Sequence, residues 1–437
     1  MGRSRIDRTT HRAYPIELRQ AIADFLPARG LALLGQGRWT DRLLVMVMLL
    51  VVWSGLPTLQ ERFAEARNAV VAMYVSRRRP GTTWAGFMSK MQRHSARLLA
   101  VVTQALRQRM VQRLTSCWRV EGFLAFGVDG TKIDCTRTRA NQRHFKIGGR
   151  HKSGPQQLLV SLIHLGSGIA WAWRRSDAKG SERKLLRQML GELPALALLV
   201  ADAGFVGYAV MTAILKQGVS LLIRAGANTV LLRKLGYAVR EKHGLVYLWP
   251  RRAQQRRRKP LVLRRIVLTD GRNRRLCLLT NLSPEDLSDQ QAAELYRRRW
   301  GVELLFRAMK QTLARRKMLS DSPAHAAVEL DWTVTAHWLA SLLLWETRRE
   351  KTPAYQGFAA VLRVVRAAMA GRGDHRTSLW RRLRAIRQDR YVRRRPKAAR
   401  DWPHKKNEPP CGVPELRMAT TKEIRLAQAI YARKRAA

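Results

Sequence analysis

Leu196–Phe205, LALLVADAGF, decides the fold. Every residue from Leu196 to Ala201 is apolar, and Asp202 follows at once. A strand covered on both faces of a sheet reads this way, with its first polar group where the strand leaves the core. Upstream, SERKLLRQMLGEL from Ser181 reads as a short helix, and QQLLVSLIHLGSGIAWAWRRS from Gln156 as two strands joined by a Gly-Ser-Gly turn. Before them, FLAFGVDGTKID from Phe123 reads as a strand ending in an Asp-Gly turn. Downstream come a helix, YAVMTAILKQG, and another strand, VSLLIRAG. Three strands, helix, strand, helix, strand is the order of a mixed α/β sheet with helices on both faces.

Outward from that core the character changes. Residues 1–118 read as helical; TWAGFMSKMQRHSARLLAVVTQALRQRMVQRL carries apolar positions at helical spacing with arginines between them. This region is either a DNA-end-binding unit or a scaffold packed on the next domain. Residues 119–227 hold the first part of the core, and 228–285 a β-rich insertion. There RRAQQRRRKPLVLRRIVLTDGRNRR sets eleven Arg/Lys against one Asp. Residues 286–350 return to the core through a helix opened by a Ser288/Gln291 capping box. Residues 351–437 read as a basic helical region, with a loop expected after Pro396.

The charge balance narrows the partner. The chain carries 83 Lys+Arg against 31 Asp+Glu, a formal +52. A folded body so charged calls for a polyanion, and nucleic acid repays each neutralised phosphate with released counterions. An anionic membrane surface is the rival, but no basic amphipathic anchor with a bulky apolar face is evident. Leu43–Trp53 is too short to span a bilayer, and Trp332–Trp345 is interrupted by His337; both read as buried helices. No secretory signal is visible, and the four cysteines form no CxxC, so a reducing, cytoplasmic, nucleoid-associated setting is expected.

Chemistry concentrates in LYRRRWGVELLFRAMKQTL, from Leu295 to Leu313. On an ideal helix of about 100° per residue, Tyr296, Arg299, Glu303 and Lys310 share an arc of roughly 60°. Such a stripe can hold a divalent metal through Glu303 or grip phosphate through its cations and phenol. It can equally be a solvated face with an Arg-Glu pair. Asp129 and Asp202, each at the end of an apolar strand, tip the balance. Carboxylates at adjacent strand ends face one crevice, and with Glu303 they make a set suited to two Mg²⁺ or Mn²⁺ ions and in-line displacement at phosphorus. Asp134 and Asp177 have weaker contexts.

These motifs resemble the cut-and-paste DDE transposases of bacterial insertion sequences, and more narrowly the insertion-sequence-four group with its Tyr-x2-Arg-x3-Glu-x6-Lys signature. The matches are DGT at Asp129–Thr131, DAGF at Asp202–Phe205 with Tyr208 beyond, and all four signature residues. The resemblance covers about residues 120–320. It implies a ribonuclease H-like mixed sheet flanked by helices, with a β-rich insertion before the last acid and helical terminal regions. It also implies that Asp129, Asp202 and Glu303 are the catalytic metal ligands for Mg²⁺, with Mn²⁺ substituting. Tyr296, Arg299 and Lys310 then hold phosphates of the transposon-end strand. Arg224, in LLIRAG, is either a further DNA contact or half of a salt bridge. The implied partners are double-stranded DNA, as terminal inverted repeats and target, and a second copy of the chain in a homodimer on DNA. Relatives excise through a hairpin intermediate, with a base flipped onto an aromatic of the insertion. Leu276 stands where that aromatic is expected, with Trp249 and Tyr247 as substitutes or core residues. The alternatives are a ribonuclease H-like nuclease without strand transfer and a non-catalytic DNA-binding remnant that inhibits transposition.

Overall fold

The computed structural model describes residues 13–27, 30–31, 38–74, 79–148, 154–237, 244–269, 275–347, 357–372, 377–386 and 412–436. Among the described residues four helices come first: α1 (Ala13–Ala23), α2 (Asp41–Trp53), α3 (Leu59–Met73) and α4 (Trp84–Arg113). Thr40, Thr58 and Thr83 cap α2, α3 and α4, each accepting a bond from a first-turn amide. The core opens with β1 (Ala125–Asp134), α5 (Arg139–Phe145), β2 (Gln156–His164), β3 (Ile169–Asp177), α6 (Glu182–Arg187), β4 (Leu198–Ala201), α7 (Tyr208–Lys216) and β5 (Ser220–Ala225). The insertion adds β6 (Val230–Arg233), β7 (Leu245–Leu248), α8 (Arg251–Gln255), β8 (Leu261–Thr269) and β9 (Arg275–Thr280). Then follow α9 (Asp289–Arg298), α10 (Gly301–Arg307), a π-helical turn at Ala308–Thr312, α11 (Pro323–Thr347), α12 (Phe358–Met369), α13 (Leu379–Arg384), β10 (Glu415–Met418) and α14 (Thr421–Ala436).

Among the described residues the ten strands join one sheet in the order β10-β6-β7-β8-β9-β5-β4-β1-β2-β3. The central strands β1, β4 and β5 are parallel; β2, β3 and the insertion strands β7, β8 and β9 pair antiparallel. The result is a large mixed sheet flanked by helices. LALLVADAGF behaves as its composition predicts: β4 is wholly buried and Asp202 follows directly. The Gly166–Gly168 turn closes the β2/β3 hairpin, with Gly168 at φ +69. The hairpin turn of the basic stretch, at 270–274, and the loop after Pro396 lie outside the described residues.

The anticipated buried helices are both present. Leu44–Trp53 of α2 is buried throughout, and α11 is buried nearly all round, as its uniform apolarity demands. It crosses the middle of the molecule, touching α2, α4, α12 and β3. One continuous core therefore joins the N-terminal helices, the sheet and the helices after the site. Among the described residues no helix is long and apolar enough to cross a membrane.

Three expectations need correction. The strand at Asp129 does not end in an Asp-Gly turn: β1 runs on to Asp134, with Asp129 opposite Ser161 and Gly130 opposite Val160. Backbone bonds to β2 carry it past the point where its parallel neighbour β4 stops. The stretch from Tyr296 to Lys310 is not one ideal helix. It breaks between Arg298 and Gly301 and widens into the π turn that carries Lys310. Finally, the C-terminal region is not only helical. The strand β10 pairs parallel with β6, and α14 sets Ala427 and Ile430 into a second small core around Tyr247 and Trp249. Four residues, ELRM, are too few to show a strand period in the sequence.

Candidate active site

The site forms where β4 ends beside a β1 that continues. Parallel pairing of the two stops at Gly127/Val200, so Asp129 and Asp202 emerge next to each other at the mouth of the sheet. Asp129 and Thr131 lie two apart on β1 and share a face. On that face Gly127 lets Val302 of α10 come close; a Cβ at Gly127 would lie 3.2 Å from Val302 Cγ2. The close approach of α10 delivers the signature helix to the acids.

Arg299 is the hinge of the arrangement. Its Nη1 donates to Asp129 Oδ2 at 3.3 Å and its Nη2 to Glu303 Oε1 at 3.2 Å. The guanidinium lies 5.6 Å from the centre of the Tyr296 ring; burial pushes the Tyr296 phenol up, with Arg299 and Arg224 opposing. Lys310 Nζ donates to Thr131 Oγ1 at 2.6 Å, tying the π turn to the DGT motif. Asp129 Oδ1 accepts from the Gly130 amide and Asp202 Oδ1 from the Gly204 amide, both at 2.8 Å. Thus Asp129, Asp202, Tyr296, Arg299, Glu303, Lys310 and Arg224 form one neighbourhood from four separated stretches of chain. Among the described residues no three His, Cys, Asp or Glu side chains are grouped closely enough to hold one metal ion. The cation between Asp129 and Glu303 is the Arg299 guanidinium.

The electrostatics are those of crowded acids. Burial, and then the nearby Asp202 charge, push Asp129 above the usual carboxylate range, against the Gly130 amide and Arg299. Glu303 is raised by burial, with Arg299 opposing. Burial works against the Arg299 charge, but Tyr296 and the carboxylates of Asp129, Asp202 and Glu303 outweigh it and hold its pKa up. Arg299 Nε is buried and finds no acceptor among the described residues.

Two residues escaped the sequence reading. Glu182, first in α6, lays its carboxylate over Gly130 and feels the charges of Asp129 and Asp202. Only its place just before LALLVADAGF could have flagged it. Trp300, between Arg299 and Glu303, is 55% exposed, and an indole so exposed beside half-buried acids is the signal. The proposed aromatic substitutes behave otherwise: Tyr247 and Trp249 are buried in the second core, and Leu276 is packed against the main one. Asp177 pairs with Lys146 at 2.9 Å and Asp134 accepts from Gln156, so neither joins the site.

Residues 124–339 match the family described as "Transposase DDE domain". The segment is similar to a transposase DDE domain. It holds Asp129, Asp202 and the stretch from Tyr296 to Lys310. The chain is also 22% identical, over 194 residues, to a protein of Synechocystis sp. provisionally named the transposase for insertion sequence element IS4SA. That alignment takes in 43% of this chain and 54% of the relative, so the chain spans about half the length of the curated protein it matches. A cryo-EM structure of the piggyBac transposase synaptic complex with hairpin DNA aligns over 84% of this chain and 78% of that one, at 7% identity and a TM-score of 0.39.

Proposed function

We propose that the protein is a metal-dependent DNA transposase of the cut-and-paste kind, in the insertion-sequence-four group, built on a ribonuclease H-like core. It cleaves DNA at transposon ends and joins the freed 3′-hydroxyl to target DNA. The observation that carries this reading is Arg299 bridging Asp129 and Glu303 beside Asp202, with its Nε buried and unmatched. A buried donor without an acceptor is costly. A phosphate oxygen drawn to the same guanidinium would satisfy it.

The donor types are those a divalent cation takes, and holding one requires the three carboxylates to draw together around it. Asp129, Asp202 and Glu303 offer hard oxygens, as Mg²⁺ and Mn²⁺ require. Burial and the Asp202 charge raise Asp129, and burial with the Asp129 and Asp202 charges raises Glu303, a crowding that an added positive charge relieves. Such a cation supplies Lewis-acid activation of the attacking oxygen and neutralises charge on the leaving one. The protein's own groups do the rest. Lys310, fixed by Thr131, and Arg299, near the Tyr296 ring, present positive charge to the strand backbone, and Arg224 adds a further charge near Tyr296. Trp300 offers an exposed face on which a base at the cut can stack. Two transposon ends need two such sites, so the working form is a homodimer on DNA.

The test uses DNA carrying terminal inverted repeats, Mg²⁺, and the wild type beside Glu303→Ala. Joined or hairpin products from the wild type alone support transposition. Cleavage without joining favours a nuclease. Equal binding with no products from either protein removes the enzymatic reading and leaves a DNA-binding remnant.

A further inference from the structure

We propose that Arg299 holds the seat of the divalent cation until a DNA strand draws it away, so that the cation is taken up only with DNA in place. The inference rests on the reading of Asp129, Asp202 and Glu303 as cation ligands and names what regulates them.

A Mg²⁺ ion demands oxygens at about 2.0–2.1 Å, so its carboxylate ligands must close on one point. Here a guanidinium stands between them. Arg299 Nη1 lies 3.3 Å from Asp129 Oδ2, and Nη2 lies 3.2 Å from Glu303 Oε1. Two nitrogens with their protons keep the acids further apart than one small ion allows. Among the described residues no three acids are accordingly grouped to hold a metal. Asp129 gives one oxygen to the Gly130 amide and the other to Arg299. The positive charge that two of the three acids meet is thus already present, carried on a side chain.

The hold is loose. Charge-assisted N–H···O bonds run about 2.7–2.9 Å, and both Arg299 bonds are longer. Nearby, Arg183 Nε reaches the Gly204 carbonyl at 2.7 Å and Lys310 reaches Thr131 at 2.6 Å. Arg299 is 9% exposed and its Nε is unmatched, a cost that its present seat leaves standing. The backbone beneath it is a joint. Between α9 and α10 the amides of Arg299, Trp300 and Val302 donate three residues back, to Tyr296, Arg297 and Arg299, at 3.2, 3.3 and 3.1 Å. A tightened turn inside a helical run is where hinges occur. Tyr296 lies before the joint and Glu303 beyond it, so a small rotation there takes the guanidinium off the acids. The joint also faces outward, since Trp300 beside Arg299 is exposed. A strand phosphate is the attractor, because its oxygens accept from a guanidinium in pairs. Once Arg299 turns to it, the bridge between Asp129 and Glu303 is gone and their charges are left for an ion. DNA and cation then bind with positive coupling, each strengthening the other.

The experiment is Mn²⁺ binding to the full chain, followed by electron paramagnetic resonance, without DNA and with saturating pre-cut DNA ends that leave no bond to hydrolyse. The proteins are the wild type, Arg299→Met, Arg299→Lys, Arg183→Met and Asp202→Asn, each shown to fold by melting in EDTA. Without DNA the wild type binds weakly and Arg299→Met at least about tenfold more tightly, inside the usual 5–150-fold range of coupling. Arg299→Lys keeps the charge but not the two-pronged bridge, so it falls between them and carries the test should Arg299→Met not fold. On DNA the wild type and Arg299→Met converge, because only wild-type uptake has a seat-holder to lose. Arg183→Met removes the same charge from beside the acids and binds as the wild type does. An equal gain in Arg183→Met would make the effect one of net charge and overturn the proposal. So would a variant at Arg299 that binds no more tightly than the wild type, or a wild type that DNA leaves unchanged; Asp202→Asn failing to bind would then keep the three-acid centre standing. Full uptake by Asp202→Asn, or none by any protein, overturns that centre and the proposal with it.

Discussion

A single guanidinium sets the geometry of this site. Arg299 is the cation between two half-buried acids, so its removal is felt twice. Losing hydrogen bonds to charged groups costs about 1.5–3 kcal/mol, and Arg299→Ala should lower the melting temperature of the cation-free protein. It should also reduce DNA-end cleavage by about 10²-fold or more, the usual effect of deleting a donor aimed at reacting oxygens. Both are read from one preparation by thermal unfolding and end cleavage; full cleavage would remove Arg299 from the machinery. Its neighbour makes a contrast. Trp300 packs little and is 55% exposed, so Trp300→Ala should leave stability within about 0.5 kcal/mol. End-DNA binding should weaken by about 1–3 kcal/mol, the range for a stacked base. Unchanged affinity in a gel-shift titration would deny the indole any contact with a base. Asp129 and Asp202 could be picked out as candidates because each follows an apolar run, and Glu303 because it shares a stripe with Tyr296, Arg299 and Lys310. Glu182 was not, because a glutamate opening a helix is ordinary until the backbone beneath it is seen.

At the level of elements, apolar continuity was the dependable signal and local punctuation the misleading one. LALLVADAGF and Trp332–Trp345 declared buried elements through composition alone. Asp129-Gly130 looked like a turn, yet strand pairing with β2 overrides it. The π turn at Lys310 and the β10/β6 pairing depend on partners far away in sequence, which no local period reports. Two tests belong here. Arg315, fully buried, donates to the Val51 and Val52 carbonyls near the end of α2 and lies 3.8 Å from Glu329. It anchors the chain just after the π turn to the N-terminal helices. Arg315→Met should cost about 3–5 kcal/mol in urea unfolding. Glu423 ties β10 and α14 to α8, accepting from both Arg417 Nη atoms, the Thr420 amide and Gln254. The Arg417 bonds lead in lowering its pKa from 4.5 to about 2. A depressed folded value means the contribution is complete above about 4.5 and fades as pH falls toward about 2, on the order of 2 kcal/mol in all. The protection of α14 against hydrogen exchange, relative to the intrinsic rate at each pH, should therefore fall between pH 6 and pH 3, and Glu423→Gln should abolish the difference. A wild-type α14 equally protected at both pH values would show that Glu423 does not hold it.

For the whole molecule, a formal charge of +52 predicts affinity for DNA without saying where the strand lies. The folded insertion supplies a candidate that the run of arginines did not reveal. Arg256, Arg257, Arg258 and Lys259 are exposed on a turn after α8, and that turn is held by its backbone. Buried Trp249 donates to the Arg258 carbonyl, and the Tyr208 hydroxyl to the Lys259 carbonyl. Tyr208 opens the helix that follows Asp202, so the turn is tethered to the acid motif itself. Cations on a pre-ordered turn lose little entropy on meeting phosphate. Because backbone carbonyls do the anchoring, all four side chains can become glutamine with the turn intact. The logarithm of the binding constant should fall linearly with that of salt concentration, with a slope of about 0.9 per neutralised phosphate. The fourfold variant should flatten that slope by about 3–4 and keep the wild-type melting temperature. It should also weaken binding to end DNA and to unrelated DNA alike, since phosphate contacts carry no sequence information. An unchanged slope would place the strand elsewhere on the molecule, and a loss confined to end DNA would make the turn a reader of bases.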